Sequence, residues 1–116
     1  TSILIHKDVA FIEQGKLVDP QGRFIILTGL FNNAQYTLVS TYFPNTGAEV
    51  FLRRLMQKIE QHKLGGLILC GDFNFITSPE EDTTAVPQGV RRRQMVSTCK
   101  QLNAKLTLHN LYDSWR

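Results

Sequence analysis

The chain has 116 residues, enough for one small domain, and its 42% hydrophobic and 20% charged residues are typical of a globular protein. No window approaches the roughly 18 consecutive apolar residues of a membrane helix, and no basic and apolar leader is visible, so the composition argues against a membrane-spanning or secreted protein. The net charge of +3 is compatible with a polyanionic partner but is too small to indicate one.

The first part of the chain predicts strands joined by turns. Residues 3–12 (ILIHKDVAFI) predict a strand, a kink and a second strand, and the Asp-Pro and Gly residues within 19–22 predict a hairpin connection. Residues 23–31 and 35–43 are rich in β-branched and aromatic side chains and are separated by a short Asn-Asn-Ala turn. This pattern is typical of an antiparallel hairpin.

A loop, a helix and a strand are predicted next. Residues 44–47 (PNTG) predict a loop whose asparagine or threonine caps the following helix. From Glu49 to His62, apolar residues recur at the i, i+3, i+4, i+7 spacing of an amphipathic helix, and the Gly-Gly pair 65–66 ends it. Residues 67–71 (LILCG) then predict a buried strand.

The last part predicts a polar loop at 75–88 and a second helix at about 90–105 with one apolar stripe. Cys70 and Cys99 lack metal-binding spacing and fall on apolar patterns, so we expect reduced thiols in the core and a nuclear or cytoplasmic protein. A helix that connects two apolar strands indicates a sheet covered by helices. The predicted fold class is therefore α/β with mixed strands.

A carboxylate and an amide follow the apolar strand. Because side chains alternate along a strand, Asp72 and Asn74 should project to one side and Phe73 to the other. The carboxyl ends of strands carry the ligand sites of α/β sheets, and Mg²⁺ needs only one or two protein carboxylates beside water and substrate phosphate. The alternative is a simple turn, since Asp and Asn are common turn residues. The tripeptide alone does not decide between the two.

A second strand ends in the same way, with Tyr42, a Pro-fixed loop and Asn45. If the helix crosses over so that the two strands run parallel, these residues reach the same sheet edge as Asp72 and Asn74. A phenol, two amides and a carboxylate at one edge would suit an anionic substrate.

The segments STYFPN (40–45) and LILCGDFN (67–74), separated by one amphipathic helix, resemble the endonuclease/exonuclease/phosphatase superfamily. Residues 42–55 (YFPNTGAEVFLRRL) and 111–116 (LYDSWR) most resemble the apurinic-type endonuclease domain of LINE-type retrotransposon polyproteins. The similarity covers essentially the whole chain, although only the GDFN element and the Y-x-P-N loop are specific. It implies that residues 1–116 form the central part of a four-layer α/β sandwich, in which mixed sheets are flanked by helices.

The resemblance implies a hydrolase that uses Mg²⁺ or Mn²⁺ to nick DNA. By position, Asp72 matches an aspartate that orients or deprotonates the attacking water close to the metal. Asn74 matches an amide that binds the scissile phosphate and helps the metal site, Tyr42 a tyrosine near that phosphate, and Asn45 an asparagine that contacts it. In such a site the cation and the donors aimed at the developing charge supply most of the catalysis.

The resemblance also implies that part of the site lies outside this sequence. The family's metal-binding glutamate belongs before Thr1, and its late aspartate and catalytic histidine belong after Arg116. We therefore expect this chain to be an excerpt that is inactive alone, with a reverse transcriptase region downstream in the parent polypeptide. His6, His62 and His109 are predicted to be surface or packing residues rather than replacements.

Two charged clusters leave alternatives open. The acidic residues 80–82 could bind a metal, but adjacent acids in a Pro-flanked loop are more often solvated. Arg91, Arg92 and Arg93 open the second helix and could follow a DNA backbone near the site, although a solvated helix face is favoured.

The leading hypothesis is a fragment of a Mg²⁺-dependent endonuclease that nicks target DNA for retrotransposition. Its close rival is a repair nuclease similar to exodeoxyribonuclease III or an apurinic endonuclease. A hypothesis of another class is a degenerate, non-catalytic fragment that binds nucleic acid weakly through Arg53, Arg54 and the arginines of the second helix.

Overall fold

The computed structural model describes residues 1–74, 90–108 and 110–111, with the side chains of the second helix described at Ser97 and from Lys100 onward. The elements within these residues are β1 (Phe11–Val18), β2 (Phe24–Phe31), β3 (Ala34–Tyr42), α1 (Ala48–His62), β4 (Gly66–Asp72) and α2 (Val90–Leu108). The predicted α/β class with mixed strands is confirmed.

The described strands form a sheet in the order β1-β2-β3-β4. The neighbours β1, β2 and β3 are antiparallel, whereas β4 lies parallel to β3 because α1 carries the chain back across the sheet. The predicted β2–β3 hairpin is confirmed, and its turn consists of Asn32 and Asn33 alone, with φ of 49° and 67°. Asparagine tolerates these left-handed angles, which a two-residue hairpin turn requires at both positions.

The start of the chain differs from the prediction. Residues 1–10 form no strand; Val9 instead donates its N–H to the carbonyl of His6 (3.0 Å) in a turn, and the first strand begins at Phe11. The predicted strand before the kink is therefore wrong. Isolated apolar residues can look like a strand in sequence, but they become one only if a neighbouring strand pairs with their backbone.

The core lies between α1 and one face of the sheet. The apolar spacing of α1 places Phe51, Leu52, Leu55, Met56 and Ile59 on its buried side, where they meet buried residues of β2 and β3 and Leu102 of α2. Burying a large aliphatic or aromatic side chain contributes about 1.5–3 kcal/mol. The stripe of apolar residues in α1 is thus sufficient to hold the helix against the sheet.

A glycine precedes α1, and a threonine side chain of the sheet anchors the segment that follows it. Its N-cap is Gly47, at a left-handed φ of 69° and without a side-chain cap, so the expected cap by Asn45 or Thr46 is wrong. After the helix, the buried hydroxyl of Thr37 donates to the carbonyl of Leu64 (2.8 Å) and accepts its N–H (2.7 Å). This pair of bonds fastens the loop from α1 to β4 onto β3, beside the start of β4.

The opposite face of β4 departs from the prediction of a buried strand. Leu67 and Leu69 pack towards the core, but Ile68 is 49% exposed and Cys70 is also exposed. The expectation of a core thiol is therefore wrong for Cys70, while the side chain of Cys99 lies outside those described. Of the described helices, none is long and apolar enough to cross a membrane.

Candidate functional site at the carboxyl ends of strands 3 and 4

The ends of β3 and β4 meet at one edge of the sheet. Because the two strands are parallel, Tyr42 lies directly opposite Asp72 in the register, and both side chains leave the same face. The pairing continues one residue further, where Phe43 donates its N–H to the carbonyl of Asp72 (2.8 Å). Tyr42 is 46% exposed and Asp72 is exposed as well. A phenol and a carboxylate are thus held side by side at the surface on a fixed backbone.

Gly71 allows the two strands to come this close. Its φ is 150°, and a Cβ at this position would collide with the carbonyl group of Thr41 on β3. Only a residue without a side chain fits there. The glycine before Asp72 is therefore explained by the strand pairing that aligns Asp72 with Tyr42.

The loop after β4 is a turn closed by the aspartate itself. Asn74 donates its N–H to Oδ1 of Asp72 (2.9 Å) and takes a left-handed φ of 51°. Phe73 points the other way and packs against the core, with its ring 5.2 Å from that of Phe43. Asp72 is thus both a turn residue and an exposed carboxylate. The hydrogen bond from Asn74 closes the turn and also holds the Asp72 side chain in place.

The side chain of Asn74 returns to the end of β3. Its Nδ2 donates to the carbonyl of Phe43 at 2.6 Å. An amide nitrogen carries two hydrogens, so this bond uses one of its donors. Asn74 thereby ties the loop after β4 to the loop after β3, a structural role that the sequence pattern did not indicate.

The structure describes the remaining candidates only in part. Asn45 lies exposed in the loop between β3 and α1, three residues after Tyr42. Arg91, Arg92 and Arg93 lie in the first turn of α2 by their backbone, but their side chains are outside the described ones. Their contacts with DNA stay a prediction. The acidic residues 80–82 are also outside the described ranges.

The described histidines lie where the sequence predicted them, at the surface. His6 is exposed in its turn, with Nδ1 3.5 Å from Oδ2 of Asp8. His62 is exposed in the last turn of α1, where Nδ1 meets the carbonyl of Lys58 at 2.8 Å. His109 is outside the described residues.

The sequence pattern missed an ion pair between a buried carboxylate and a half-exposed arginine. Asp19, in the turn after β1, has a fully buried side chain whose Oδ1 accepts from Nη2 of Arg54 on α1 (2.7 Å). The Asp-Pro-x-Gly turn was visible, but nothing in the pattern marks a partner 35 residues away. Arg54 is thus committed to a structural contact, which weakens the hypothesis that it binds nucleic acid.

The oxygen donors at this edge are few. Asp72 offers one surface carboxylate and Asn74 one amide oxygen, whereas Mg²⁺ is usually held by one or two carboxylates beside water and phosphate. Within the described residues, no group of three or more His, Cys, Asp or Glu side chains could hold a metal. The described residues thus supply part of a coordination shell at most. No protein-family model matches the chain.

Proposed function

We propose that this chain is the central part of a divalent-metal-dependent DNA endonuclease of the endonuclease/exonuclease/phosphatase type, closest to the nicking domain of LINE-type retrotransposons. The observation that carries the proposal is the direct pairing of Tyr42 with Asp72 at the carboxyl edge of two parallel strands, with both side chains exposed. This pairing supports the proposal because it brings one residue from each of the two resembling segments side by side.

In this proposal, Asp72 orients the attacking water and accepts its proton. The carboxylate is at the surface, where substrate can reach it, and its Oδ1 is held by the N–H of Asn74. A positioned general base contributes a factor of about 10²–10⁴ in rate. The exposed Tyr42 hydroxyl donates to a nonbridging oxygen of the scissile phosphate.

Asn74 would act in two ways. One hydrogen of its amide holds the Phe43 carbonyl, and the other is directed to a phosphate oxygen, assisted by Asn45 from the neighbouring loop. Asp72 and Asn74 would hold Mg²⁺ or Mn²⁺ together with ligands from outside residues 1–116. When bound, the cation neutralises charge on the phosphate and activates a water.

The same proposal extends to the fold. The sheet face opposite α1 carries exposed apolar residues such as Ile68. In the proposed four-layer sandwich, a second sheet would cover that face. The family's glutamate would come from before Thr1, and its late aspartate and histidine from after Arg116, so residues 1–116 alone should not cut DNA.

Nicking of supercoiled plasmid by the polypeptide that carries this sequence tests the proposal. We expect conversion to open circles in Mg²⁺, inhibition by EDTA, and loss of nicking in Asp72→Ala but not in Asp8→Ala, a control at an exposed aspartate in a turn. Equal activity of Asp72→Ala and wild type would refute the assigned site. Metal-dependent cutting by residues 1–116 alone would refute the proposal that part of the catalytic site lies outside these residues.

A further inference from the structure

The turn between β1 and β2 is organised around one buried carboxylate. Asp19 has no exposed side-chain surface, and its Oδ2 accepts the N–H of Arg23 (3.2 Å) while its Oδ1 accepts from Arg54 (2.7 Å). A buried charge is tolerated only when such partners replace water. Both oxygens of Asp19 are therefore used within the protein.

Backbone bonds hold the rest of this turn. Gly22 donates its N–H to the Asp19 carbonyl (2.8 Å), and Asp19 donates its own N–H to the carbonyl of Phe24 (3.0 Å). Together with the carboxylate, these contacts hold the peptide group before Arg23 and the peptide group after Phe24, on both sides of the Arg23 carbonyl. Arg54 then connects the turn to α1, where its guanidinium lies 5.9 Å from the centre of the Phe24 ring.

The carbonyl of Arg23 connects this turn to the candidate site. It accepts the N–H of Tyr42 (2.7 Å) and the buried hydroxyl of Thr41 (3.3 Å). The next N–H along β3, that of Phe43, donates instead to the carbonyl of Asp72 (2.8 Å). The backbone at the end of β3 is thus hydrogen-bonded to the Arg23 carbonyl on one side and to the Asp72 carbonyl on the other.

We infer that the Asp19–Arg54 pair is a positioning element for the candidate site. It holds the N–H of Arg23, and because the carbonyl of the same residue accepts from Tyr42, it keeps Tyr42 in register with Asp72. Its effect on nicking rests on the proposed function, whereas its effect on the Tyr42 backbone does not. The competing interpretation is that the pair only adds stability to the whole fold.

Single-amide hydrogen exchange separates the two interpretations. In Asp19→Ala, we expect the Tyr42 amide to exchange about tenfold faster relative to the amide of Val39 in the centre of the sheet, because the end of β3 opens locally. Thr37→Val is the matched control, since it removes buried hydrogen bonds to Leu64 at the other end of the same strand pair. There the ratio of Tyr42 to Val39 exchange should not change.

A gentler variant covers the case in which Asp19→Ala does not fold. Arg54→Lys keeps the charge but loses the planar fork, so it should raise the Tyr42 ratio in the same direction by a smaller factor. An unchanged ratio in every folded variant at Asp19 or Arg54 would overturn the inference, because a uniform loss of stability accelerates both amides equally.

Nicking assays test whether the Asp19–Arg54 pair also affects catalysis at the candidate site. In the polypeptide that carries this sequence, Asp19→Ala should lower kcat at saturating plasmid by about tenfold per folded molecule with little change in KM, because Tyr42 is misplaced in the transition state. Thr37→Val should retain its kcat. A wild-type protein that does not nick would refute the proposed function. The ratio of Tyr42 to Val39 exchange would then be the test of whether the Asp19–Arg54 pair holds the Tyr42 backbone. A raised ratio with unchanged kcat would overturn the positioning role.

Discussion

Two aspartates close turns at strand ends in this molecule, and their surroundings differ completely. Asp19 accepts the N–H of Arg23 and Asp72 accepts the N–H of Asn74, so each carboxylate shapes the loop that follows it. The Asp19 side chain is fully buried against Arg54, whereas Asp72 is exposed, and no cation pairs with it within the described part of the chain. A carboxylate that keeps its charge at the surface is available to a ligand. One that is buried against a cation is not.

The largest effect that should separate the two regions is on catalysis. In the polypeptide that carries this sequence, Asp72→Ala should reduce plasmid nicking by a factor of about 10²–10⁴, since it removes the proposed base. Its free energy of unfolding should fall by only about 0.5–1 kcal/mol, because the exposed N–H of Asn74 loses the Asp72 carboxylate but can bond to water instead. Nicking rates and urea denaturation of the same preparation check both values. A large loss of stability would place Asp72 in the same structural class as Asp19.

Asn74 should combine both kinds of effect. Asn74→Ala removes the bond to the Phe43 carbonyl and places alanine at a left-handed φ, which costs about 1–2 kcal/mol. If its amide also donates to the phosphate, nicking should fall by about 10²–10³. Asn74→Gly separates the backbone contribution from that of the side chain, because glycine relieves the backbone strain but has no side-chain amide to donate. Recovery of nicking in the glycine variant would contradict the role of the amide in substrate binding.

Asp19 should show the reverse pattern in equilibrium unfolding. Asp19→Ala leaves the Arg23 N–H without its carboxylate acceptor and removes the charge partner of Arg54. Losing a buried hydrogen-bonding partner costs about 1–3 kcal/mol, with the larger values for charged groups, and the partial exposure of Arg54 moderates the total. We expect a loss of about 2 kcal/mol in urea denaturation. A loss as small as that of Asp72→Ala would remove the contrast between the two aspartates.

The smallest effect is expected at Tyr42. Tyr42→Phe keeps the ring and the backbone bond to Arg23 and removes only an exposed hydroxyl. Nicking should therefore fall by a few-fold to about tenfold, in line with the roughly 0.5–1.5 kcal/mol that one neutral hydrogen bond contributes, while stability stays the same. The measurement is a nicking time course at saturating plasmid. An effect as large as that of Asp72→Ala would indicate that the Tyr42 hydroxyl takes part in the proton transfer, and would contradict its assignment to phosphate binding.

The meeting of Tyr42 and Asp72 could be predicted from sequence because it depends on local rules. Strand alternation and a single crossover helix suffice to bring two strand ends to one edge. The exposure of Cys70 and Ile68 could not be predicted, because an apolar strand looks the same whether one or both of its faces are covered. The Asp19–Arg54 pair could not be predicted either, because a contact between a turn and a distant helix leaves no periodic pattern in the sequence.

Gly71 makes this site genetically fragile. Single-base changes in a glycine codon can give alanine, and one added methyl group would meet the carbonyl of Thr41 and force β3 and β4 apart. The residues proposed to bind and cleave would all remain in place in the sequence, yet Tyr42 and Asp72 would no longer face each other. A copy of this sequence that carries such a change would keep every proposed catalytic residue and still encode an inactive site.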